Sequence, residues 1–65
     1  MNTDHDRLIA LREVKEISGF GKTMIYRLMR EGRFPQACKP GGSSTRWSER
    51  EVRIWKDEQL AARAA

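Results

Sequence analysis

The sequence predicts a mainly α-helical domain with a small β-hairpin, the arrangement of a winged helix-turn-helix. Three observations carry that expectation. On a helical wheel at about 100° per residue, residues 22–31 put Met24, Ile25, Leu28 and Met29 on one side. Lys22, Thr23, Tyr26, Arg27 and Arg30 fall on the other, with Glu31 at the edge. Directly upstream, Gly19-Phe20-Gly21 is a short turn of the kind that joins the two helices of a helix-turn-helix. Further on, Pro40-Gly41-Gly42-Ser43 separates two short runs, 36–39 and 44–47, and such Gly-rich punctuation reads as a hairpin, here a wing, with a plain surface loop without a contact role as the alternative.

In chain order, residues 1–6 form a polar tail expected to fray. His5 lies in it without a second His anywhere, so no metal site is expected. Residues 7–11, Arg-Leu-Ile-Ala-Leu, fit either a short strand leading into a helix or the first turn of a longer helix capped by Asp6. The extended lead-in is expected. A first helix over 12–18 would turn Val14 and Ile17 inward and Arg12, Glu13, Lys15 and Glu16 outward. The helix over 22–31 ends where Gly32 offers a left-handed residue, with Arg30 and Arg33 close to the last carbonyls. Pro35 disfavours helical geometry in Phe34, leaving Phe34 free to plug the core. Ser48-Glu49-Arg50-Glu51 is a capping box, each side chain satisfying the other's backbone amide. It predicts a helix from 49 to about 60, with fraying beyond; the domain proper is taken as 7–62. The expected core is Val14, Ile17, Ile25, Leu28, Met29, Phe34, Trp47, Val52 and Trp55. So short a chain needs both tryptophans for burial rather than for stacking on bases. Ile54, about 100° from Trp55, is expected to be exposed.

Sixty-five residues make one small domain, burying roughly 60% of the surface its unfolded chain would expose. That leaves little room for a supported catalytic pocket. The sequence sets out no Asp/Glu pair, Cys–His pair or phosphate loop, so neither an enzyme nor a cofactor is expected. No apolar run of membrane length and no signal peptide are visible, which points away from membrane and export. The single Cys38 precludes an internal disulfide, fits a reducing cytosol, and is expected to pack in or near a strand rather than react.

The net charge of +4 is unevenly spread. Residues 1–6 hold two acids and no Lys or Arg; residues 7–33 hold seven bases and three acids; residues 34–47 add Lys39 and Arg46 with no acid; residues 48–65 balance four bases against four acids. The excess of +6 over residues 7–47 points to a polyanionic partner there. A merely solvated basic face would give the same sum, and the clustering on residues 22–30 is what favours nucleic acid.

The ordered combination Gly19-Phe20-Gly21-Lys22-Thr23-Met24-Ile25-Tyr26-Arg27, Glu31-Gly32-Arg33-Phe34-Pro35, Gly41-Gly42, Arg46-Trp47, Glu51-Val52 and Trp55 resembles the AlpA family of phage and genomic-island regulators. That family is related to excisionases and to the MerR-type winged helix-turn-helix. The resemblance spans about residues 7–56. It implies a cytoplasmic, nucleoid-associated DNA-binding protein of a bacterial mobile element. Tyr26-Arg27 matches the family's recognition-helix pair, and Phe34-Pro35 and Arg46-Trp47 match its hairpin boundaries. Gly21 stands where a Ser cap is usual, a change worth a few tenths of a kcal/mol. Met24 replaces a customary Thr, and Pro40 with Ser43-Ser44 makes the wing tip less basic than usual.

The residues themselves suggest roles in double-stranded DNA binding. Lys22 and Thr23 open the helix, where amides and dipole favour a phosphate and side chains reach base edges. Tyr26 and Arg27, one turn on, suit a phosphate and a purine edge. Arg30 and Arg33 suit backbone neutralisation, and Lys39 and Arg46 let the wing follow a neighbouring groove. Two functions follow from the resemblance: a recombination directionality factor helping a tyrosine integrase excise an element, or a transcriptional regulator of that element. A protein-interaction adaptor using Ile54 and the neutral last helix is a third reading. Because one small module covers little DNA, neighbouring copies of the protein are expected on the site.

Overall fold

The structure is a computed structural model that describes residues 6–63. The expected tail 1–5, with His5, and the final Ala64 and Ala65 lie outside the described residues. In order come strand β1 (Leu8–Ile9), helix α1 (Leu11–Ser18), helix α2 (Lys22–Arg30), strand β2 (Trp47–Ser48) and helix α3 (Glu49–Arg63), with a 3-10 turn at Pro40–Gly42. Three helices and a small antiparallel β element give the expected winged helix-turn-helix class.

The α1–α2 turn follows from local chemistry. Gly19 ends α1 at φ +79°, left-handed backbone that a Cβ would strain, and its N–H donates to the Lys15 carbonyl at 2.8 Å. The Ser18 hydroxyl oxygen accepts from the Phe20 amide at 3.2 Å. At the end of α2, Gly32 takes φ +73°. The Gly32 amide donates to Met29 O at 3.1 Å and the Arg33 amide to Leu28 O at 2.8 Å. This paired closure is a Schellman motif, and it satisfies carbonyls that the helix end leaves open.

The wing is smaller than the sequence predicts. Cys38 and Arg46 exchange both backbone hydrogen bonds at 2.8 Å, and the described arms pair nowhere else. Beyond Arg46 the chain pairs with β1 instead, Ile9 opposite Trp47 and Leu8 opposite Ser48. This register carries Ile9 and Trp47 into the core together, 1% and 0% exposed, while satisfying their backbone groups. Residues 7–11 are therefore a short strand and the start of α1, not one helix capped by Asp6.

Asp6 caps a different helix. Ser48 Oγ accepts from the Glu51 amide at 3.1 Å, the expected half of the capping box. A second cap comes from far back in the chain: Asp6 Oδ1 accepts from the Arg50 amide at 2.9 Å, and its Oδ2 accepts from the Ser48 hydroxyl at 2.5 Å. The Arg7 carbonyl takes the Glu49 amide at 2.8 Å. Pairing of β1 with β2 delivers Asp6 and Arg7 to the α3 N-terminus, while the exposed Glu51 side chain does not make the expected return bond to the Ser48 amide among the described residues.

The core is Ile9, Val14, Ile25, Leu28, Phe34, Trp47 and Val52. Ile17, Met29 and Trp55, expected inside, are half-buried against it, and Ile9 joins the core beyond the expected set. Trp55 joins α3 to the end of α2. Its indole N–H donates to Arg33 O at 2.8 Å, and its ring stands edge-on to Phe34 and Phe20 at 4.7 and 5.9 Å. The buried Trp47 N–H has no hydrogen-bond acceptor among the described residues. Helix α3 continues through Arg63, past the expected end near 60.

Candidate nucleic-acid interface

Burial of Ile25 and Leu28 fixes how α2 is turned. Lys22, Thr23, Arg27 and Arg30 are consequently all exposed. At 1.5 Å per residue, Lys22 and Arg30 stand about 12 Å apart along the axis. Gly21 at the N-cap supplies no side-chain hydrogen bond, so the amides of the first turn have no side-chain cap.

Tyr26 is where the wheel misleads. The wheel puts it with the outward residues, but it is half-buried and meets the Trp47 ring edge-on, centroids 6.1 Å apart. The wheel describes one helix and cannot register that β2 lies against its flank. The contact links the middle of the basic face to the base of the wing, since Arg46 precedes Trp47. Arg46 is half-buried, and its Nη1 donates to Thr45 O at 2.9 Å. Lys39 is exposed on the other arm. Cys38, expected to pack, does lie on the bridge between the arms, but its side chain is exposed. A single bridge has only one layer of side chains and leaves nothing to cover the thiol.

Arg33 stands apart from the row. Its backbone is tied to Trp55 beyond the end of α2, and its guanidinium reaches back to Glu31 Oε1 at 3.5 Å. Arg27 approaches the other oxygen of Glu31 at 3.8 Å. Among the described residues, no carboxylate lies within ion-pair distance of Lys22, Arg30, Lys39 or Arg46. Two contributors escaped sequence reasoning. Glu31, at the edge of the face, pairs with Arg27 at the i,i+4 spacing that the sequence already shows. Gln36 donates to Met29 O at 2.9 Å, helping to close the end of α2 and to set where the chain leaves for the wing. No local sequence rule signals that bond.

On the far side of β2 the charges are paired. Arg7 grips Glu49 with Nε at 3.0 Å and Nη2 at 3.3 Å, and also reaches Glu13 at 3.1 Å. Arg53 binds Glu49 from one turn along α3 at 3.0 Å. The Arg7 and then the Arg53 guanidinium hold the Glu49 carboxyl down to about 2. The Ser48 hydroxyl and the Arg50 amide hold Asp6 below its ordinary range. Among the described residues no cluster of His, Cys, Asp and Glu could hold a metal ion, and no helix is long and apolar enough to cross a membrane.

A helix-turn-helix whose second helix turns a basic row outward, with a wing at its flank, has the winged helix-turn-helix arrangement. The family described as prophage CP4-57 regulatory protein (AlpA) matches residues 7–60, and the chain belongs to that family of phage-associated DNA-binding regulators. It is 33% identical over 58 residues to the uncharacterized protein ORF88 of Enterobacteria phage P4. The alignment covers 89% of this chain and 66% of that relative, so the chain spans just under two thirds of its length. No solved structure matches.

Proposed function

We propose that the protein binds a specific double-stranded DNA site and acts as a recombination directionality factor, promoting integrase-mediated excision of a prophage or genomic island. The observation that carries the DNA-reading part is the outward row Lys22, Thr23, Arg27 and Arg30 over the buried Ile25 and Leu28. Helix α2 enters the major groove with its N-terminal turn toward the bases. The first-turn amides take a phosphate, favoured by the helix dipole. Arg27 reads a purine edge, while Arg30, Arg33, Lys39 and Arg46 neutralise backbone. Tyr26, held against Trp47, offers its hydroxyl to a phosphate and keeps wing and helix in register.

A single module of this kind covers roughly 600–1,000 Å², too little for tight isolated binding. Several copies therefore sit side by side on repeated sites and bend the DNA, bringing the integrase's binding arms together. The charge-balanced α3, with Ile54 half exposed, is the surface for contact between copies. A second reading, transcriptional regulation of the mobile element, is supported by the family's description as a regulatory protein. The deciding experiment measures excision with and without this protein while the integrase is expressed from an unrelated promoter. Excision that depends on the protein supports the directionality role; undiminished excision leaves the regulator.

A further inference from the structure

Glu31 is the only carboxylate between Ile17 and Ser48, a span that holds every candidate DNA-contacting residue. It sits at the C-cap of α2, where an anion opposes the helix dipole. Its pair with Arg27 runs in the less favourable order, cation before anion along the helix. Both of its ion pairs are long and exposed, 3.8 Å to Arg27 and 3.5 Å to Arg33, and pairs of that kind add little to stability. Helix stability therefore does not account for an acid in this position. Its two oxygens are divided between the arginine assigned to a base edge and one assigned to the backbone.

We infer that Glu31 is a specificity-determining residue, a positioning carboxylate that holds Arg27 and Arg33 away from indiscriminate phosphate contacts. The inference rests on the DNA-reading role of α2 proposed above. On any duplex, phosphates compete with Glu31 for both guanidinium groups, and the carboxylate itself repels the backbone. That penalty applies to every sequence. Only a site that offers Arg27 a bidentate acceptor such as guanine O6 and N7 compensates for the lost ion pair. Glu31 thus lowers random binding more than it lowers binding to the preferred site.

The test uses the full chain and two duplexes: the preferred one, selected by the wild-type protein from a random library, and a scrambled one of the same composition. Glu31→Gln keeps shape and removes charge, and an unchanged thermal melt checks the fold. Affinity for the scrambled duplex should rise about three- to tenfold, with a salt slope steeper by about one unit for each arginine released to a phosphate. Affinity for the preferred duplex should change less, so the ratio between them falls. In an Arg27→Ala background, Glu31→Gln should leave the ratio unchanged, because the arginine through which it acts is gone. An equal rise on both duplexes, no change on either, or a ratio that still falls without Arg27 overturns the inference. If the wild-type protein selects no preferred duplex at all, the DNA-reading role of α2 fails as well, which separates the two claims.

Discussion

Two regions of this small molecule use the same residue types to opposite ends. At the junction of β1 and α3, Arg7 and Arg53 meet Glu49 and Glu13 at 3.0–3.1 Å, and Asp6 closes the helix start. Along the outer face of α2 and the wing, Lys22, Arg30, Lys39 and Arg46 have no carboxylate at ion-pair distance among the described residues, and Arg27 and Arg33 share one. Charges satisfied within the chain organise it; charges left without an internal partner form a field for an external polyanion. The first region gives the fold its closure, and the second is the surface proposed to meet DNA.

Trp47 stands between the two regions, and removing it should break both. It is fully buried, pairs with Ile9 and contacts Tyr26. Trp47→Ala should cost about 3–5 kcal/mol, most of what so small a domain holds. Chemical denaturation should show an unfolded or barely folded chain, and DNA binding should vanish with the fold. The next effect belongs to the ligand side alone. Lys22→Ala or Arg27→Ala should lose about 1–3 kcal/mol on the preferred duplex and little on a scrambled one. Equal losses on both would reassign those residues to the backbone.

On the closure side, Ser48→Ala removes the hydroxyl that accepts from Glu51 and donates to Asp6, and should cost about 1 kcal/mol of stability. Binding by the folded fraction should be untouched. The same region predicts an acid dependence. Glu49 is depressed from 4.5 to about 2 by folding, and Asp6 is depressed as well. Their contribution is full above the unfolded value and is lost as pH falls toward the folded one. Melting temperature should therefore drop from about pH 5 to pH 2, and Glu49→Gln should flatten that drop. The smallest effects are on the phosphate contacts. Arg33→Ala or Lys39→Ala should weaken both duplexes alike and lower the salt slope by about one unit each.

The two regions were not equally legible in the sequence. The face of α2 follows from one helix's periodicity, and its ends from Gly21 and Gly32, so most of the row could be read from the chain alone. Tyr26 could not, because its environment is made by Trp47, twenty-one residues away in the chain. The closure region was nearly invisible for the same reason. Ser48 announces a helix start, but the carboxylate that completes it is Asp6, forty-two residues earlier, brought there by the β1–β2 pairing. Ile9 enters the core through that same pairing, and the expected hairpin shrinks to one bridge because β2 turns to β1 instead. Local rules see caps and faces; they do not see which segment arrives to fill them.

The division between closure and ligand is tested most directly by two arginines measured side by side. Arg7→Ala and Arg27→Ala remove the same charge, one from the paired region and one from the α2 face. Each variant is melted and then titrated with the preferred duplex at a temperature where it is folded. The account predicts that Arg7→Ala lowers the melting temperature and leaves affinity nearly unchanged, whereas Arg27→Ala leaves melting nearly unchanged and loses roughly tenfold or more in affinity. Equal losses of affinity from the two would contradict it, because binding would then follow total charge rather than the face that α2 presents.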